Sequence, residues 1–118
     1  RQVQRLDEIE MRRRQVVNAY AELFNLEKPD LPLLRFPTHT NRKQELVREF
    51  AKHQVELGQW FQAPLHPENS DFQVAEYNWG SCPNAEKISK LCINLPTSIS
   101  GSDLNHVLRL VERHIKTQ

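Results

Sequence analysis

The segment "CPNAEKISKLCINLP", residues 82–96, decides the fold. Pro83 falls where a first helical position is expected, since its ring presets φ and its missing N–H is not needed there. Asn84 to Leu91 then reads as a short helix with Ile88 and Leu91 turned inward. Cys92 to Thr97 follows without a linker and predicts a short strand broken by Pro96. Beyond it, Gly101 and Ser102 open a last helix in which Leu104, Val107, Leu108, Val111 and Ile115 form an apolar stripe at i, i+3, i+4, i+7 spacing. Arg113, His114 and Lys116 in its final turn suit the negative end of the helix dipole.

Working back toward the N-terminus, residues 2 to 24 hold no Gly or Pro and are rich in good helix formers. Val3, Leu6, Ile9, Val16, Val17, Tyr20, Leu23 and Phe24 recur at three- and four-residue steps, as one buried face requires. At 1.5 Å per residue such a helix is roughly 34 Å long. A domain this small cannot cover it, so its first half is expected to pack against something outside this chain. Pro29, Pro32 and Pro37 end it, and Leu33 to Phe36 predicts a short strand held near a sheet edge by its flanking prolines. Asn41 and Gln44 stand in capping-box relation ahead of a helix whose apolar face is Leu46, Val47, Phe50 and Ala51. Gln54 to Phe61 reads as a strand with Val55 and Leu57 on one side, ending in the aromatics Trp60 and Phe61. Residues 62 to 81 are irregular. The resulting fold class is α+β, with a small, mostly antiparallel sheet and helices packed on it.

The totals set bounds on function. A chain of 118 residues, 38% hydrophobic, supports one domain with a modest core. Sixteen basic against 15 acidic residues leave a net charge of +1, so no global field draws in nucleic acid or an anionic membrane. No apolar run approaches the roughly 20 residues a membrane span needs, and the charged opening residues are no signal peptide. Cys82 and Cys92 form no CxxC pair and read as reduced thiols of a cytoplasmic protein, although spacing alone leaves a disulfide open. The chain begins with Arg1, and its only methionine, Met11, lies inside the first helix, so an incomplete polypeptide is expected.

No self-contained active site emerges. His39, His53, His66, His106 and His114 lack metal-ligand spacing, and three glycines do not make a phosphate-cradling loop. Arg12, Arg13 and Arg14 point about 100° apart on a helix and follow Asp7, Glu8 and Glu10, which reads as a solvated or interdomain face rather than a nucleic-acid patch. The stretch from Trp60 to Pro67 alone looks built for contact. Its plainer alternative is a satellite core beside a solvent-facing His66.

Four segments resemble, in order, the C-terminal part of the DegT/DnrJ/EryC1/StrS sugar aminotransferases. Residues 4–24 are similar to the family's helix after the catalytic-lysine region, with Leu6, Arg12 to Arg14 and Tyr20 in place. Residues 41–67 resemble its helix, Gly-aromatic strand and Pro-x-His loop. Residues 82–96 are similar to its Cys-Pro-x-Ala-Glu signature ending in Leu-Pro, and residues 100–115 to its closing helix.

The resemblance implies the small C-terminal domain of a fold-type-I enzyme, residues 1–118, with 1–26 as a linking helix to an absent large domain. That domain would hold pyridoxal phosphate on a lysine, and the whole homodimer would move an amino group, usually from glutamate, to a nucleotide-linked keto sugar. None of Lys28, Lys43, Lys52, Lys87, Lys90 and Lys116 falls in the family's lysine motif, so the fragment is expected to bind no cofactor and to be inactive alone. Trp60, Phe61 and His66 are the implied sugar-side contacts, with Trp-Phe standing where many relatives have His-Tyr. Two other readings stand beside this one: a free-standing binding or regulatory module derived from that fold, and an unrelated helical adaptor.

Overall fold

A computed structural model describes residues 3–116. Arg1, Gln2, Thr117 and Gln118 lie outside the described residues, among them Gln2, where the first helix is expected to start. Helix α1 runs Leu6–Leu23 after a 3-10 turn at Val3–Arg5. Strand β1 (Arg35–His39), helix α2 (Lys43–Lys52), helix α3 (Pro83–Leu91), strand β2 (Cys92–Pro96) and helix α4 (Gly101–Val111) follow in order. A π-helical stretch, Glu112–Lys116, continues α4. The α+β expectation is met by helices around an antiparallel two-stranded sheet, in which Arg35 pairs with Pro96 and His39 with Cys92.

One core joins these elements. Val16, Val17, Tyr20 and Ala21 of α1 meet Phe36 of β1, Leu46 and Phe50 of α2, Ile93 and Leu95 of β2, and Val107, Leu110 and Val111 of α4. The Tyr20 and Phe36 rings lie 5.3 Å apart, within range of favourable aromatic pairing. The Tyr20 hydroxyl donates to the Pro96 carbonyl oxygen at 2.8 Å, so this buried polar tip is satisfied. Burial of that phenol holds its pKa well above the ordinary value.

The first half of α1 contributes nothing to this core. Val3, Leu6, Ile9 and Met11 are exposed, Val3 by 84%, and the stripe is buried only from Val16 onward. The radius of gyration is 16.2 Å, against about 13.5 Å for a compact domain of this length. Among the described residues, no helix is long and apolar enough to cross a membrane.

Several local expectations are revised. The capping box does not form: Arg42 precedes the first turn of α2, and its backbone N–H is taken by the Thr40 hydroxyl. Gln44 instead donates to the Gln59 side chain. Ala51 is exposed, and Lys43 takes the inward place one turn before Leu46. On α3, Ile88 is exposed and Leu91 half-buried, while Glu86 and Ser89 face inward. The first strand lies two residues later than the spacing suggests, with Pro37 inside it rather than flanking it. The expected strand over 54–61 shrinks to one antiparallel bridge, Gly58 with Asn94. Gln54 has φ of 60°, which bends the chain out of extended geometry just after α2. Val55 and Leu57 still face the core. Gly58 suits the bridge, because a Cβ there would stand 3.0 Å from the Asn94 Cβ and would force one of the two chain segments to shift.

Candidate functional site

The bridge at Gly58 delivers the chain into the aromatic loop, and three side chains hold the loop by its backbone. Asn94, a polar residue in the otherwise apolar β2, donates from Nδ2 to the Trp60 carbonyl oxygen at 2.6 Å. Lys43, only 8% exposed, donates from Nζ to the carbonyl oxygens of Gln59 at 3.1 Å and Ser89 at 3.0 Å, with Phe61 O at 3.5 Å. One ammonium thus joins the loop to the last turn of α3. Burial lowers the Lys43 pKa from its ordinary value, opposed by Cys92 and then Glu68. In return, burial pushes the Cys92 thiol up, with Lys43 acting against it. Cys82 and Cys92 are both free thiols.

With its backbone held, the loop presents its rings outward. Trp60 and Phe61 are exposed, and the structure brings both against His66, whose ring centroid lies 6.2 Å from Trp60 and 5.7 Å from Phe61 in edge-on geometry. The three residues singled out from sequence therefore form one cluster. Beneath it lies an apolar groove of about 310 Å³, lined by Trp60, Phe61, Pro64, Ala85 and Ile88. That volume suits a single ring or small sugar unit rather than a whole cofactor.

The far wall of the groove is α3, and Glu86 fixes its approach. The Glu86 carboxylate accepts from the Tyr77 hydroxyl and the Gly80 backbone N–H, both at 2.6 Å. These bonds, with the Tyr77 contact foremost, hold its pKa below the ordinary 4.5. Phe72 meets the Tyr77 ring edge-on and stacks on Trp79, and the Lys90 ammonium sits 5.4 Å from the Trp79 ring centroid. A carboxylate whose folded pKa is lowered stabilises the fold above its unfolded pKa, and that contribution disappears as pH falls through the folded value. Glu86→Gln is therefore expected to destabilise the chain at pH 7 and to match wild type more closely at pH 3. Urea unfolding at the two pH values measures the difference, and an unchanged gap overturns the assignment.

Sequence reasoning missed Lys43, Asn94 and the inward role of Glu86. Lys43 stands at i with Leu46 and Phe50 at i+3 and i+7, so the helical period itself marks it as an inward charge. Asn94 interrupts the buried run of β2, and that is the corresponding signal for it.

The donor set of this chain does not fit pyridoxal phosphate. The Lys43 amine is enclosed by carbonyl oxygens. Lys28 and Lys52 pair with Glu22 and Glu49, Lys90 covers Trp79, and Lys87 and Lys116 stand exposed on helical turns. Gly58, Gly80 and Gly101 lie in three different places and make no phosphate cradle. No group of three or more His, Cys, Asp or Glu among the described residues is arranged to hold a metal ion.

No individual curated protein matches the chain. The family model of the DegT/DnrJ/EryC1/StrS aminotransferases, in contrast, matches residues 1–112. With nearly its whole length matched and the Cys-Pro-x-Ala-Glu segment forming the wall of an aromatic-capped groove, the chain belongs to the DegT/DnrJ/EryC1/StrS aminotransferase family.

Proposed function

We propose that residues 1–118 are the small C-terminal domain of a fold-type-I, pyridoxal-phosphate-dependent sugar aminotransferase, and that residues 1–26 link it to the large domain. The match over residues 1–112 carries this reading. The exposed apolar residues Val3, Leu6, Ile9 and Met11 support it, because they give the absent domain a surface to cover. The enzyme acts in the cytoplasm as a homodimer and transfers an amino group from glutamate to a keto group on a nucleotide-linked sugar. The cofactor lysine belongs to the large domain, and this domain's contribution is to help enclose the substrate. Trp60 and Phe61 offer apolar faces to the sugar, and His66 offers an imidazole to a hydroxyl or phosphate.

Borohydride reduction of the natural gene product, followed by peptide mass mapping, tests the proposal. The expected result is a pyridoxyl adduct on a lysine upstream of Arg1. An adduct on any of the six lysines of this chain overturns it, as does a natural polypeptide that starts at Arg1.

A further inference from the structure

Two histidines with no part in the aromatic cluster stand side by side, although 53 positions separate them in the chain. The rings of His53 and His106 have centroids 6.0 Å apart and planes tilted by 64°. They line one cleft of about 400 Å³ with Arg35, Glu56, Ile99 and Asp103. The backbone is well held on both sides. His53 is the C-cap of α2, where its N–H donates to the Phe50 carbonyl oxygen at 3.0 Å, and Phe50 is fully buried. His106 precedes Val107, which α4 buries in the core.

Each ring has one nitrogen committed. His106 Nε2 lies 3.3 Å from the His53 carbonyl oxygen, which can only accept, so Nε2 carries the proton and Nδ1 of the neutral ring keeps a lone pair. His53 Nε2 lies 3.7 Å from Glu49 Oε1, a charge that favours the proton on the same nitrogen. Among the described residues, neither Nδ1 has a hydrogen-bond partner. An imidazole whose second nitrogen faces a carbonyl or carboxylate is oriented as metal-ligating histidines are.

Two imidazoles sharing one ion, at about 2.0–2.1 Å from each nitrogen, place their centroids about 5–6 Å apart. The observed separation needs little change. Asp103 stands one turn before His106 on α4, and residues at i and i+3 share a helical face. Its carboxylate accepts from the Ser100 hydroxyl at 2.6 Å, and it lines the same cleft as the two rings. The charges of Asp103 and Glu56 offset that of Arg35 there. Imidazole donors suit zinc, copper and nickel rather than magnesium or calcium.

We infer that His53 and His106 bind one divalent transition-metal ion of the zinc class, with Asp103 and water completing its shell. No three such groups among the described residues are already arranged around an ion, so Asp103 turns from Ser100 as the ion arrives. The ion joins the end of α2 to α4. This site does not rest on the transferase reading, and the pyridoxyl-adduct experiment is independent of it.

Zinc chloride, titrated by calorimetry into the untagged chain carrying Cys82→Ser to remove the exposed thiol, tests the site. One saturable zinc per chain is expected, with no competition from excess magnesium. His53→Gln and His106→Gln should each lower the affinity by about tenfold or more, while His39→Gln leaves it unchanged. Zinc should also raise Tm of the parent chain more than that of either variant, because an ion bound by the folded state stabilises that state. Circular dichroism of the metal-free variants confirms that they are folded. His53 is exposed, so its variant remains informative if His106→Gln fails to fold. Absence of saturable binding to the folded parent chain overturns the site, as does unchanged affinity in His53→Gln. Undiminished affinity in Asp103→Asn overturns the part given to the carboxylate.

Discussion

Phe50→Ala is expected to lower the unfolding free energy by about 3–5 kcal/mol, while Phe61→Ala leaves it within about 0.5 kcal/mol of wild type. The two side chains are chemically identical, and only their surroundings differ. Phe50 is 0% exposed and packs in the hydrophobic core, with the His114 ring 6.2 Å away. Phe61 is 57% exposed, and its loop is held through backbone oxygens rather than through the ring. Total stability for a domain of this kind is only about 5–15 kcal/mol, so Phe50→Ala should lower Tm by roughly 10–20 °C. Thermal unfolding followed by circular dichroism reads both variants. A Phe61→Ala loss as large as that at Phe50 would mean that the aromatic cluster is core.

Lys43→Met is the second large effect, with an expected loss of about 2–3 kcal/mol. Methionine fills much of the volume of the stem but leaves the Gln59 and Ser89 carbonyl oxygens without their donor. The pH dependence separates this from a packing defect. A lysine whose folded pKa is lowered binds its proton less tightly in the native state, so stability rises with pH between the lowered value and the ordinary 10.5. The gap between wild type and Lys43→Met should therefore widen as pH rises through that window. Tyr20 titrates in both proteins and cancels from the comparison, whereas the Cys92 thiol, pushed up further when Lys43 is absent, widens the gap in the same direction above its ordinary 9.0. Urea unfolding at pH 7 and pH 10 measures the gap, and a constant gap means that the lysine pKa is not shifted.

How much was legible in the sequence follows from which forces act locally. Pro83, the stripe of α4 and the unbroken run of α1 declare helices by steric preference and period alone, and the structure has them at those places. Strand boundaries depend on what lies opposite, and there the reading slipped. Val55 and Leu57 are buried as a strand would bury them, yet among the described residues of this segment only Gly58 reaches a bridge partner, at a close approach where it carries no Cβ. The inward face of α3 was misread for a related reason. Ile88 is the apolar residue, but Tyr77 and Gly80, in the irregular chain just before α3, satisfy Glu86, and a satisfied carboxylate is free to be buried. Residue type alone leaves the stretch from Trp60 to Pro67 open, and it is the family resemblance that marks Trp60, Phe61 and His66 as contacts. Their meeting in one cluster depends on Lys43 and Asn94, whose partners lie 16 and 34 positions away.

The way the aromatic loop is suspended has a consequence for how the substrate contact proposed for it can change over time. Its anchors, Lys43 and Asn94, grip carbonyl oxygens, which every amino acid supplies. The rings of Trp60 and Phe61 take no part in that grip. The loop therefore works as a fixed mount with exchangeable tips. Under the proposed function, mutation at positions 60 and 61 alters what is touched without moving where it is touched, so new ligand preferences are sampled with little loss of foldedness.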